Sequence, residues 1–161
     1  MIKRAKISFT AIGAYSANDA CGSLTELPIF ANGVGRGGIL RGLQICASKK
    51  SINPIFRIHF FRASTPTLAA DNAQFKELFA DDDIRAGYMD MPAMATAADT
   101  TNSDCSRSLH DTYGQPLGMA MVCDSAQTSL WVALEILNPG ATAFDNSPGN
   151  TVDCILVWEQ I

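Results

Sequence analysis

Alternation with a period of two recurs along this chain, while a helical period occurs once. Residues 5–12 read AKISFTAI, with Ile7, Phe9 and Ala11 on one face. Residues 38–47 read GILRGLQICA. A regular strand there puts Ile39, Arg41, Leu43 and Ile45 on one side and Leu40, Gly42, Gln44 and Cys46 on the other. Residues 55–62 read IFRIHFFR and set Phe56, Ile58 and Phe60 against Arg57, His59 and Phe61. Residues 117–123, 129–137 and 152–159 are further short apolar runs, bounded by Gly, Pro, Asn and Asp. Several are apolar on both faces, which suits strands covered from both sides.

The exception is the segment 71–80, DNAQFKELFA. Phe75, Leu78 and Phe79 fall at i, i+3 and i+4, one face of a helix. Asp71 reads as its N-cap with Gln74 completing a capping box. Asp81, Asp82 and Asp83 follow, at the end where the helix dipole disfavours anions. The spacing therefore predicts one short helix near residues 71–80. Residues 89–116 are mostly small or polar without a clear period and predict a long loop over the body. A second long loop is expected from Asn138 to Asn150, with turn signals NPG, DN and SPGN. No repeat or linker divides the chain, so the expectation is a single domain over residues 1–161. Its class is mainly β, an antiparallel β-sandwich or jelly roll, because one short helix cannot supply the crossovers of a parallel sheet.

Composition narrows the function classes. Only 17% of residues are charged and 47% are hydrophobic, against roughly 25% charged in an ordinary soluble domain. That excludes a disordered chain. It also fits a domain partly covered by other subunits, because interface cores are poor in charge. The net charge of −4 and the scattered basic residues, Lys49-Lys50 in a turn among them, weigh against gripping a phosphate backbone. No apolar run approaches the about 18 residues of a membrane helix. The basic start Met1-Ile2-Lys3-Arg4 is not followed by an apolar signal core, so secretion is not expected.

Candidate chemistry is sparse. The five cysteines, Cys21, Cys46, Cys105, Cys123 and Cys154, include no CxxC pair. Cys46, Cys123 and Cys154 lie in strand-like runs and read as small buried hydrophobes of a protein made in a reducing cytosol. Cys21 and Cys105 stand in polar surroundings that suggest exposure. Cys105, with Asp104 beside it and His110 five residues on, is the one nucleophile candidate. Gly33 to Gly38 spells GxGxxG, but a strand-like run follows where dinucleotide binding needs a helix. Asp81 to Asp83 lack the alternating spacing of a calcium loop and read as a solvated acidic turn. His59 reads as a packed strand residue and His110 as a hydrogen-bonder in a loop. The sequence therefore assigns no catalytic, cofactor-binding or metal residue, no cofactor and no enzymatic activity.

One set of motifs resembles a known group. Tyr15, Asp19 and Gly22 make a YxxxDxxG opening. GGILRGLQI at residues 37–45 and PIFRIHFF at 54–61 follow, then Thr65-Pro66-Thr67 and Asp71-Asn72-Ala73 with Phe75. Asp81-Asp82-Asp83 and Gly87 continue the series, which spans about residues 5–95. In order and spacing they resemble small structural proteins of tailed-bacteriophage virions, several of which look like capsid decoration (cement) proteins. The resemblance implies a β-sandwich or jelly-roll body with no catalytic residues. It implies that Gly22, Gly37 and Gly38 serve turns, that Asp19 caps a turn, and that Phe75, Leu78 and Phe79 close one end of the sandwich. It further implies a homo-oligomer, a trimer rather than a dimer, bound to the major capsid protein on the outer capsid surface after synthesis in the host cytoplasm. Nucleic acid and membrane are not expected partners. A second reading is a carbohydrate- or receptor-binding sandwich with a site in the loops at 89–116 and 138–150, where Tyr113 and Phe144 are the loop aromatics. A third is a small β-fold enzyme using Cys105 or His110.

Overall fold

The computed structural model describes residues 2–10, 14–28, 37–48, 54–64, 66, 68, 70–76, 78–92, 95–96, 104–108, 118–122, 128–138 and 151–160. Ten strands are described: β1 Ile2–Thr10, β2 Asp19–Leu27, β3 Gly37–Ala47, β4 Ile55–Phe61, β5 Arg85–Asp90, β6 Ala95–Thr96, β7 Asp104–Ser108, β8 Met119–Val122, β9 Leu130–Asn138 and β10 Thr151–Gln160. All their pairings are antiparallel. Sheet A runs β1-β10-β3-β7-β6, with β8 also on β3; sheet B runs β2-β9-β4-β5. From β1 to β5 the first four strands alternate between the sheets, and the last two, β9 and β10, insert centrally in sheets B and A. This is jelly-roll connectivity, an antiparallel sandwich made of two Greek keys.

The two sheets share one apolar core. Ile7 and Phe9 of β1, Leu40, Leu43 and Ile45 of β3, and Val152, Cys154, Leu156 and Trp158 of β10 face it from sheet A. Phe56, Ile58 and Phe60 of β4 and Leu130, Val132, Leu134 and Ile136 of β9 face it from sheet B. The alternation on β1 and β4 is thus as the sequence predicts. On β3 it is not, because Leu40 joins Leu43 and Ile45 in the core. A register shift against β10 at Val157/Trp158 inserts one residue near Arg41 and reverses the parity of the strand.

Sheet B carries a second cluster on its outer face. Phe61, Trp131 and Ala133 are buried there beneath Leu24, Leu68, Phe75 and Ile84. The last three belong to the segment between β4 and β5, a strap across the sheet. The strap corrects the expected helix. Residues 71–74 make turns and a bridge, with Gln74 paired to Asp19. The one short helix among the described residues is a 3-10 helix at Phe79–Ile84, later in sequence and containing the three aspartates. Local propensity loses here because Asn72, Ala73 and Phe75 of the strap make backbone hydrogen bonds with Ala20 of β2 and with Asn18 just before it. Phe75 packs on this outer-face cluster and not at an end of the sandwich, while Leu78 is 46% and Phe79 91% exposed, so the three do not close one end together.

The expected loop at 89–116 also changes. It holds the end of β5 and the short strands β6 and β7, whose polar side chains gave no periodic signal. Gly37 and Gly38 lie inside β3 and not in a turn. Small size still matters at Gly37, where a Cβ would sit 3.0 Å from the Met121 carbonyl oxygen.

Candidate functional site

The residues of the first motif and those opening the strap meet at one place, although about fifty positions separate them. Asp71 Oδ1 accepts hydrogen bonds from the Tyr15 hydroxyl at 2.7 Å and from the Gly22 backbone N–H at 2.8 Å. Next to it, Ala20 N–H donates to the Ala73 carbonyl and Asn72 N–H to the Ala20 carbonyl, both at 2.8 Å. Phe75 N–H donates to the Asn18 carbonyl at 2.6 Å. Asn18 and Asn72 hold left-handed conformations, φ 67° and 60°, and both are of the residue type that tolerates them. Asp19 accepts from Ser16 N–H at 2.6 Å and so caps the turn before β2, as expected. Asp71 is a strap anchor and not a helix cap.

Gly22 has φ 79°, and a Cβ on it would lie 2.4 Å from Phe9 Cδ1. A glycine is therefore required both by the backbone and by the contact with β1. The adjoining Cys21 corrects another expectation: it is wholly buried, not exposed. Burial first, then the nearby Asp71 charge, pushes its thiol up to about 12. Cys154 is also buried and its thiol is raised by burial, as a small core residue should be. Neither is a nucleophile at neutral pH.

A second polar cluster lies on the outer face of sheet B beside the strap. Arg57 donates through Nε to Asp90 Oδ1 at 2.5 Å and through Nη2 to Asp90 Oδ2 at 3.0 Å. Its Nη1 is 3.7 Å from Glu135 Oε2, and its guanidinium sits 4.5 Å over the Tyr88 ring. His59 Nε2 lies 2.9 Å from the same Glu135 oxygen. Phe75 stacks on the His59 ring with centroids 4.2 Å apart. His59 and Glu135 are 5% and 7% exposed. Each charge of this set has its opposite within reach, so the cluster joins β4, β5, β9 and the strap. His59 is a packed strand residue, as expected, and its partner Glu135 is the member that sequence periodicity alone did not flag.

Other candidates are dispersed. Asp81 is buried, while Asp82 and Asp83 are exposed and Asp82 pairs with Arg85 at 3.3 Å. Cys105 lies on β7, and Cys46 is disulfide-bonded and only half-buried, which overturns its reading as a buried free thiol. Its side chain leaves the core because β3 has changed parity. Residues 33–36, Lys49, Lys50, His110, Tyr113, Cys123 and Phe144 lie outside the described residues. No group of three or more metal-ligating side chains occurs among the described residues. No described helix is long and apolar enough to cross a membrane, which says nothing of β-barrel spans.

The outer face of sheet A is a different kind of surface. The register places Ile155 and Val157 of β10 beside Lys6 and Arg4 of β1. It sets Ile39 opposite Glu159 on one side and Ala120 on the other. Ile155, Val157 and Ile39 are half-buried, Val122 is 48% exposed and Ile2 73%. Ion pairs flank them: Lys6 with Asp153 at 2.6 Å and Arg41 with Glu159 at 2.8 Å.

No protein-family model matches the sequence, and no curated protein matches it. Among solved structures, the chain is similar over 99% of its length to one from Tomato Aspermy Virus, covering 78% of that chain at 8% identity and TM-score 0.40. It is similar over 98% to one of Mud Crab Dicistrovirus, covering 68% of that chain at 9% identity and TM-score 0.36. It is similar over 97% to CorA, a surface-associated copper-binding protein of Methylomicrobium album BG8, covering 92% of that chain at 12% identity and TM-score 0.35. The fold is defined by strand order and not by these distant likenesses.

Proposed function

We propose that this chain is a non-enzymatic virion structural protein, a capsid decoration (cement) protein of a tailed bacteriophage. The observation that carries the reading is the meeting of Tyr15, Ala20 and Gly22 with Asp71, Asn72 and Ala73, beside the bridge from Asp19 to Gln74. Two motifs of the resemblance, residues 15–22 and 71–75, are thus parts of one structural joint, which fits a shared body plan. The jelly roll fits, since viral shells use it, although lectins and cupins do also.

In this reading the chain forms one domain and functions through surfaces. Copies associate, as a trimer, and bind the major capsid protein on the outside of the shell. The low charge and the partly open Ile155, Val157, Ile39 and Val122 on the outer face of sheet A support a covered face. Binding only to the assembled lattice stabilises that lattice by mass action. The test is to mix the purified protein with capsids that lack it. Co-sedimentation and a raised temperature of capsid disruption are expected. Neither binding nor a shift in heat stability would sink the cement role.

A further inference from the structure

Among the cysteines, Cys21 and Cys154 are free, and Cys46 is disulfide-bonded. Its partner is therefore Cys105 or Cys123. The register sets Cys105 of β7 directly opposite Cys46 of β3. Opposed residues of antiparallel neighbours have Cα atoms about 4.5–5.5 Å apart, within the span of a disulfide. Cys123 follows Val122, whose register partner is Gly37 at the other end of β3. That end is about 30 Å from Cys46 at the rise of a strand.

We propose that a Cys46–Cys105 disulfide is a redox latch that fixes the β6–β7 pair to the rim of sheet A. The inference is independent of the virion reading. β3 divides one of its edges between β7, along Leu43–Ala47, and β8, along Gly37–Leu40. β7 thus has a short ladder on β3, and among the described residues β6 reaches the sheet through Ala95 and Thr96 on β7. A covalent tie at Cys46 secures what these few hydrogen bonds hold weakly.

The latch closes outside a reducing compartment. The two thiols give up two protons and two electrons to oxidised glutathione. One protein S–S bond forms, the glutathione S–S bond breaks, and two reduced glutathione molecules leave. Cys46 is half-buried on the outer face of β3, whereas Cys21 and Cys154 are sealed in the core. Burial thereby withholds Cys21 and Cys154 from oxidation.

Full-length protein equilibrated with oxidised glutathione, and the same protein in dithiothreitol, provide the test. Digestion without reduction should yield one linked pair of peptides, containing Cys46 and Cys105. Cys21 and Cys154 should take up alkylating reagent only after unfolding. Reduction should lower Tm by about 10 °C, the scale for opening a loop of roughly 60 residues in a chain of this size. It should also speed proteolytic cleavage within residues 92–118 several-fold. C46S and C105S should each abolish both differences. A link to Cys123, no link after oxidation, or identical Tm and cleavage in the two states would overturn the latch. Wild-type protein in the two redox states decides the matter even where a serine variant folds poorly.

Discussion

Asp71 and Gly22 show how a fold rests on single positions. One carboxylate oxygen satisfies both the Tyr15 hydroxyl and the Gly22 N–H. Gly22 lets the chain turn through φ 79° against Phe9. G22A adds a methyl into that ring and strains the backbone, at a combined cost of about 2–4 kcal/mol. Urea denaturation should show a lower midpoint with little change in slope; a midpoint equal to wild type would show that Gly22 is not constrained in this way. D71A removes the acceptor of two hydrogen bonds and should cost about 2–4 kcal/mol in the same measurement, while Y15F, which removes the hydroxyl and keeps the ring, should cost about 1 kcal/mol. Legibility in the sequence follows distance along the chain. The cap of Asp19 on Ser16 N–H is local and was readable as a turn signal. The partners of Asp71 lie 56 and 49 positions away, and no local pattern points to them.

At the scale of elements, the strap from β4 to β5 closes the outer face of sheet B, and Glu135 is its ionic centre. It receives His59 at 2.9 Å and Arg57 at 3.7 Å. E135A leaves the buried His59 without that partner and should cost about 2–4 kcal/mol. The loss should be accompanied by faster proteolysis in residues 62–84, and unchanged strap protection would contradict this role. Acid affects the other sheet. Burial raises the Asp153 pKa, but hydrogen bonds from Lys6 and Ser8 outweigh it and hold the carboxyl below its ordinary 3.8. Its contribution is complete above 3.8 and is lost as pH falls through the lower folded value. K6A should therefore flatten the acid limb of a stability–pH curve below that point and leave neutral-pH stability within about 1 kcal/mol. Strands with strong alternation, such as β1, β4 and β10, were legible because one face meets the core. The strands β2 and β5 were not, since DACGSLTEL and RAGYMD mix polar and small residues and gain their pairing from β9 and β4. The parity of β3 failed at a register shift that only its partner β10 reveals. The helix expected at 71–80 failed because β2 offers the same backbone better partners.

For the whole molecule, the proposed virion role places function in surfaces of the jelly roll. The paired carboxylates and cations hold strands together, and Cys21 and Cys154, the free thiols among the described residues, are buried. Ile155, Val157, Ile39 and Val122 on the outer face of sheet A remain partly open, with the Lys6–Asp153 and Arg41–Glu159 ion pairs on the same face. The class of fold was legible in the strand pattern, whereas the apolar residues left open on sheet A emerged only from the register of β1, β10, β3 and β8. The most direct measurement is an electron-microscopy reconstruction of the virion with this protein present and absent. The account predicts added density on the outer shell, arranged as trimers, into which the two-sheet body fits with the outer face of sheet A at a protein contact. A shell density unchanged by removal of the protein, or copies standing alone with that face toward solvent, would contradict it.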